Sequence, residues 1–164
     1  MTAHVIASGR TLLYHGDTVI GIRTVNDYLD PHRLVGIGWR IGPRLGTRPV
    51  TLTVPQPHGI DRRRALEQLV REHERTAWLL ELRGEPCIVR AERIMSWLAE
   101  LPDSTRHRDD ERIVRVTRGE IAAIGGMSRE QAGKVVAELV ESRWLELLSG
   151  FRFVVPVGRT REAA

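Results

Sequence analysis

Two hydroxyl residues, Thr117 and Ser128, each stand three places before a side chain able to reach back to them, Glu120 and Gln131, with Gly125–Gly126–Met127 lying between the pairs. In such a capping box the hydroxyl accepts from the backbone N–H three residues on, and the Glu or Gln accepts from the N–H of the first residue, so two otherwise unpaired donors are satisfied and a helix starts there. The spacing predicts a short helix after Thr117, a tight glycine turn, and a second helix through SREQAGKVVAELVESRW. Ile121, Ile124, Ala132, Val135, Val136 and Leu139 fall where these helices must pack on each other and on the following segments LELLS and FRFVVP, which read as a hairpin joined at Ser149–Gly150. Two helices about a glycine turn, followed by a hairpin, form the pattern of a winged helix-turn-helix.

The start of the second helix puts Ser128, Arg129, Glu130 and Lys134 away from the apolar positions, with the cap residue Gln131 on the same turn. Arginine can bond guanine O6 and N7 together, glutamate can accept from cytosine N4, and lysine can reach a guanine or a phosphate one turn later. Glu130 is the discriminating residue, because a surface selected only for phosphate affinity gains nothing from a carboxylate in the groove. The plainer alternative is an ordinary solvated helix face in which Glu130 and Lys134 form an i,i+4 pair.

Ahead of this region, VIASG, TLLYHGD, TVIGIRTV, LVGIGWRIG and PVTLTVPQP read as short strands between turn residues, with HG at 15–16 and NDYLD at 26–30 as connections. From Ile60 the pattern becomes helical, with Gly59 and Asp61 at the start of DRRRALEQLVREHERTAWLLELRG and Gly84 with Pro86 closing it. Leu66, Leu69, Val70, His73, Ala77 and Leu80 recur at helical spacing as a narrow stripe suited to a seam with a second copy, while Trp78, Leu79 and Leu82 supply a second apolar face. The alternative is that the stripe covers the β domain. A further helix follows from Pro86 through CIVRAERIMSWLAEL to Leu101, and DSTRHRDDER at 103–112 reads as an exposed loop and linker. The expected architecture is α+β: a β-rich domain over 1–58, a dimerisation helix over 59–84, and a winged helix-turn-helix over 85–164.

The stretch TRGEIAAIGGMSREQAGKVVAELVESRWLELLSGFRFVV resembles the winged helix of the cyclic-AMP receptor protein / fumarate–nitrate regulator (CRP/FNR) family, whose pattern T-R-x-E-[IL]-A-x-x-x-G-x-S-R-E-x-x-x-[RK]-x-[LV]-x-x-L is met at every fixed position. The resemblance implies that Thr117 and Arg118 hold phosphates, that Ser128 supports the backbone contact, and that Arg129, Glu130 and Lys134 read a half-site of the TGTGA or TTGAT type. Lys134 stands where the cyclic-AMP receptor branch usually has arginine, so bidentate reading does not carry over there. Residues 60–83 resemble the family's dimerisation helix, and CIVRAERIMSWLAEL resembles the helix joining its domains. The 57 residues ahead are shorter than that family's sensory β-roll and lack its phosphate-binding cassette, F-G-E-x followed by R-[ST]-A, for which RRRA at 62–65 is no substitute. A shortened, degenerate sensory domain that does not bind cyclic AMP is therefore expected.

Other classes find less support. Cys87 is the only cysteine, which removes an intramolecular disulfide and a cysteine-ligated zinc or iron–sulfur centre. A haem held by His73, His15 or Cys87, or His73 titrating in a seam, are alternatives to a structural histidine. None of G-x-S-x-G, the P-loop or H-E-x-x-H occurs, so no enzyme is expected, and no cofactor or metal. No apolar run approaches the ~20 residues of a membrane span, which points to a cytoplasmic protein. The net charge of +4 suits a nucleic-acid partner, but 24 of the 25 basic residues are arginine, a bias without functional weight; the single lysine is Lys134. Expected partners are double-stranded DNA at a near-palindromic site, a second copy of the chain, and RNA polymerase. The rival is a winged-helix interaction module acting through RNA polymerase or another regulator, with only incidental DNA contact.

Overall fold

The computed structural model describes residues 4–8, 11–15, 18–24, 27–29, 39–41, 51–52 and 62–158. Two compact units divide the chain, Met1–Glu81 and Leu82–Ala164, with the division inside one long helix. The fold is α+β with antiparallel sheets.

In the first unit β1 (His4–Ser8) pairs with β4 (Tyr28–Leu29) and β6 (Thr51–Leu52), while β2 (Thr11–His15) pairs with β3 (Thr18–Arg23) and β5 (Trp39–Ile41). His15 lies opposite Thr18, so β2 and β3 form the hairpin expected at HG. NDYLD is not wholly a connection: Tyr28 and Leu29 join the ladder opposite Val5 and His4. A two-residue strand is set by its distant partner and leaves no period to read. Gly59 and Asp61, and LVGIGWRIG and PVTLTVPQP apart from β5 and β6, lie outside the described residues. Leu12, Leu13, Val19 and Ile22 are buried, as is Leu79 of the helix α1 (Arg62–Gly84).

A cluster of charges ties α1 to the strands. Asp27 is 1% exposed, and its carboxylate accepts from the Thr24 backbone N–H at 2.8 Å and from Nη1 of Arg75, with Arg71 Nε 3.4 Å from its other oxygen. Arg75 also donates to the Ile22 carbonyl and to Thr24 Oγ1, each at 3.0 Å. Beside it, Arg23 pairs with Glu72 at 2.7 Å, and Gln68 donates to the same carboxylate at 2.7 Å. Burial lowers the Arg23 guanidinium from its ordinary value, an effect that Glu72 and Asp27 oppose. Because an unpaired buried charge is costly, this set holds together as a unit.

The cluster decides which face of α1 meets the strands. Leu66, Leu69, Val70 and Leu80 are 55%, 60%, 57% and 65% exposed, so the stripe does not cover the β domain. His73 is exposed and Ala77 half-buried on the same row.

The second unit continues from Leu82, which is fully buried. Pro86 takes the N-cap position of α2 (Cys87–Glu100), which buries Ala91, Ile94, Met95, Leu98 and Ala99. DSTRHRDDER is not a loop: β7 (Thr105–Arg108) and β8 (Glu111–Arg115) form a hairpin through it. Every residue of β7 is exposed, so this edge strand has no buried face and shows no apolar alternation in sequence. After β8 come α3 (Arg118–Gly125), α4 (Arg129–Glu141), β9 (Glu146–Ser149) and β10 (Arg152–Pro156), giving a four-stranded sheet ordered β7-β8-β10-β9. Its core joins Val114, Val116, Phe153, Val154 and Val155 of the sheet region with Ile121, Ile124, Ala132, Val136 and Leu139 of the helices. Among the described residues no helix is long and apolar enough to cross a membrane.

Candidate nucleic-acid interface

Both capping boxes form. Thr117, extended at φ −92°, accepts from the Glu120 backbone N–H at 3.1 Å, and the Glu120 carboxylate accepts from the Thr117 N–H at 2.8 Å. Ser128 Oγ accepts from the Gln131 N–H at 3.1 Å, and Gln131 Oε1 from the Ser128 N–H at 2.9 Å. Between them α3 closes on Gly126 at φ 61°, ψ 42°, a left-handed cap that side chains with a Cβ rarely adopt. Gly125 is constrained by space instead, since a Cβ there would stand 2.6 Å from Met127 Cε and 3.2 Å from Ile94 Cδ1. The turn is therefore short because its first glycine lies against α2 and its second reverses the chain.

These caps fix which residues of α4 look outward. Ala132, Val135, Val136 and Leu139 are buried, whereas Ser128, Arg129, Glu130, Gln131 and Lys134 are exposed on the opposite face. Glu130 and Lys134 form an exposed i,i+4 pair at 2.7 Å, so in the free protein Glu130 is engaged with Lys134. Such a pair contributes only about 0.3–0.5 kcal/mol and yields readily to a stronger partner. Gln131 holds the cap through its side-chain oxygen and remains exposed.

Thr117 is half-buried and Arg118 exposed at the start of α3. The Arg118 side chain crosses to α4 over Gly133, where an added Cβ would lie 3.7 Å from its Cδ and Nη1. The structure thus brings Arg118 beside the exposed face of α4. The residues of the apolar stripe, Leu66 to Leu80, belong to the first unit and are not brought to this site within it.

Sequence reasoning missed two arginines at the turn. Arg90 of α2 donates to the carbonyls of Gly125 at 2.9 Å and Gly126 at 3.4 Å, and Arg83 lies over Gly126, its Nε 3.3 Å from where a Cβ would be. No local signal marks either residue, since each acts on a segment more than thirty positions away. Among the described residues no group of three or more His, Cys, Asp or Glu side chains is arranged to hold a metal ion.

Capped helices about a left-handed glycine, packed on a β-hairpin wing, define a winged helix-turn-helix. Residues 92–156 match the Crp-like helix-turn-helix domain family. The chain as a whole has the fold of CRP/FNR-type regulators, with the Crp-like helix-turn-helix domain in its second unit. A CRP-family transcriptional regulator from Thermus thermophilus is similar with a TM-score of 0.71 at 22% identity, over 95% of this chain and 83% of that one. A second Thermus thermophilus regulator, of the CRP/FNR family, gives 0.67 at 16% identity, over 94% and 82%. The c-di-GMP-responsive global regulator of Xanthomonas campestris gives 0.66 at 21% identity, over 96% and 85%. No curated protein sequence matches the chain significantly.

Proposed function

We propose that the protein is a sequence-specific transcription regulator that binds a near-palindromic DNA site as a cytoplasmic homodimer and does so without cyclic AMP. The observation that carries this reading is the outward face of α4, where Ser128, Arg129, Glu130, Gln131 and Lys134 are exposed beside Arg118 on a helix whose start, like that of α3, is fixed by a capping box. Thr117 and Arg118 hold phosphates and set register, Ser128 supports that contact, and Arg129, Glu130 and Lys134 read base edges of TGTGA-like or TTGAT-like arms. Entry into the groove exchanges the weak Glu130–Lys134 pair for base contacts, so Glu130 is free to accept from cytosine.

The second copy is argued from the open stripe on α1. Four large apolar side chains on one row are more than half exposed in the protomer. Burying what remains exposed of each against a second copy would contribute roughly 1–2 kcal/mol before the costs of association. A two-fold dimer places its recognition helices roughly 34–36 Å apart, one turn of DNA. The missing cyclic-nucleotide cassette in residues 1–57 supports independence from cyclic AMP. Contact with RNA polymerase would convert DNA binding into activation.

The test is selection of bound sequences from a random DNA pool with the purified protein, no ligand added, at physiological salt. Recovery of a palindrome with such arms, lost on changing Arg129 and Glu130, is the expected outcome. Absence of enrichment, with RNA polymerase or another regulator still captured, would favour the interaction module.

A further inference from the structure

We infer that Arg90 is a positioning residue for the recognition helix, fastening the helix-turn-helix turn to the joint where the long helix α1 ends. This rests on the reading of α4 as the DNA-reading helix. From the first turn of α2 its guanidinium reaches in two directions: Nε donates to the carbonyl of Glu85, in the two-residue joint between α1 and α2, and Nη1 donates to Gly125 and Gly126.

Three physical features make this a positioning device and more than one additional hydrogen bond. The last carbonyls of a helix have no partner within it; that of Gly125, which ends α3, and that of the cap Gly126 accept from a cation, which the helix dipole also favours at that end. The guanidinium is a rigid planar fork, so fixing one N–H direction on Glu85 fixes the other on the turn. The turn is also lined on its other sides, since a Cβ at Gly125 would stand 3.2 Å from Ile94 Cδ1, and Arg83, from the last turn of α1, lies over Gly126. The start of α4 follows the turn after a single residue, Met127, and Ser128 then caps it. Within this unit the turn is tied to the joint after α1 through the polar span of Arg90, beside the apolar packing of α2 on α3 and α4. In the dimer proposed above, a turn that shifts at this joint carries α4 with it.

The consequence is a role in half-site spacing, which a purely stabilising residue would not have. The experiment compares the full chain with Arg90→Met, which keeps the stem, and Arg90→Lys, which keeps the charge but cannot span both carbonyl sets. Binding is measured to the selected palindrome and to versions with one or two base pairs added or removed between the arms. The original protein should prefer one spacing. Both variants should bind that spacing roughly tenfold or more weakly, and bind the altered spacings nearly as well as the original one. A variant that keeps the original spacing preference overturns the inference, whatever its affinity.

A second arm needs no DNA. Amide exchange in Arg90→Met should quicken about tenfold or more both around Glu85 and over 125–128, while the β8–β10 ladder is unchanged. Quickening at only one of the two places overturns the link between them. Should the original protein select no DNA sequence, the proposed function fails, and the exchange arm still decides what Arg90 joins.

Discussion

Two glycines of the helix-turn-helix should respond in opposite senses to the same substitution. Gly133 lies inside α4, where an alanine Cβ would meet Arg118 Cδ and Nη1 at 3.7 Å, ordinary contact without a clash. Glycine in a helix interior costs about 0.5–1 kcal/mol relative to alanine, so Gly133→Ala should stabilise by about that amount. Gly126 is held at φ 61°, where a Cβ costs about 1–2 kcal/mol, and Arg83 at 3.3 Å must also give way. Gly126→Ala should therefore destabilise, and the two variants should differ by about 2 kcal/mol. Urea unfolding followed by far-ultraviolet circular dichroism, at one fixed protein concentration because dimerisation would add to stability, gives the measurement. With a slope of about 1–3 kcal/mol per molar urea, the midpoints should separate by roughly 1 M. Equal midpoints for Gly126→Ala and the parent would refute the left-handed cap, and a loss of 1 kcal/mol or more in Gly133→Ala would refute the path of Arg118 across α4.

Other parts of the structure give their own tests. Asp27→Ala leaves Arg75 and Arg71 facing an emptied buried site, and should cost about 3–5 kcal/mol in denaturant unfolding; a loss under 1 kcal/mol would show the cluster to be dispensable. Leu69→Glu, at a position 60% exposed in the protomer, should leave the far-ultraviolet spectrum unchanged yet shift sedimentation to a monomer, and a persistent dimer would place the seam elsewhere. Arg129→Ala should cost about 1–3 kcal/mol on the selected DNA and relax one base position, whereas Arg118→Ala should weaken all sequences alike and reduce the salt slope by about 1. Equal losses on selected and random DNA for Arg129→Ala would sink that division of roles.

What could be read from the chain was what its neighbours in sequence determine. Thr117 with Glu120 and Ser128 with Gln131 are contacts over three residues, so both helix starts and the outward turn of α4 were legible. The row Leu66 to Leu80 was legible as a stripe suited to a seam, but not the contacts of Glu72 with Arg23 and of Arg75 with Asp27 that turn the other face of α1 toward β3. Asp27 itself reads as a turn residue; its burial follows from Arg75, forty-eight positions away. The strand β7 was missed because TRHR buries nothing and is held by backbone pairing to β8 and by ion pairs that leave no apolar period. Arg90 was one arginine among many, and only the folded chain brings it to Gly125.

Among the described residues, the sheet of the second unit ends differently on its two sides. Along β7 the open backbone is flanked by Arg106, His107 and Arg108, side chains that stay hydrated and repel a second strand of like kind. Along β9 the other open backbone carries Leu147, 51% exposed, and Leu148, with Phe151, 50% exposed, just across the hairpin tip. Strand addition meets charge on the first margin and finds apolar side chains on the second. Strand-to-strand adhesion of this sheet is thereby made one-sided: it would start from the wing, and Leu147→Lys should raise the concentration at which the protein remains clear.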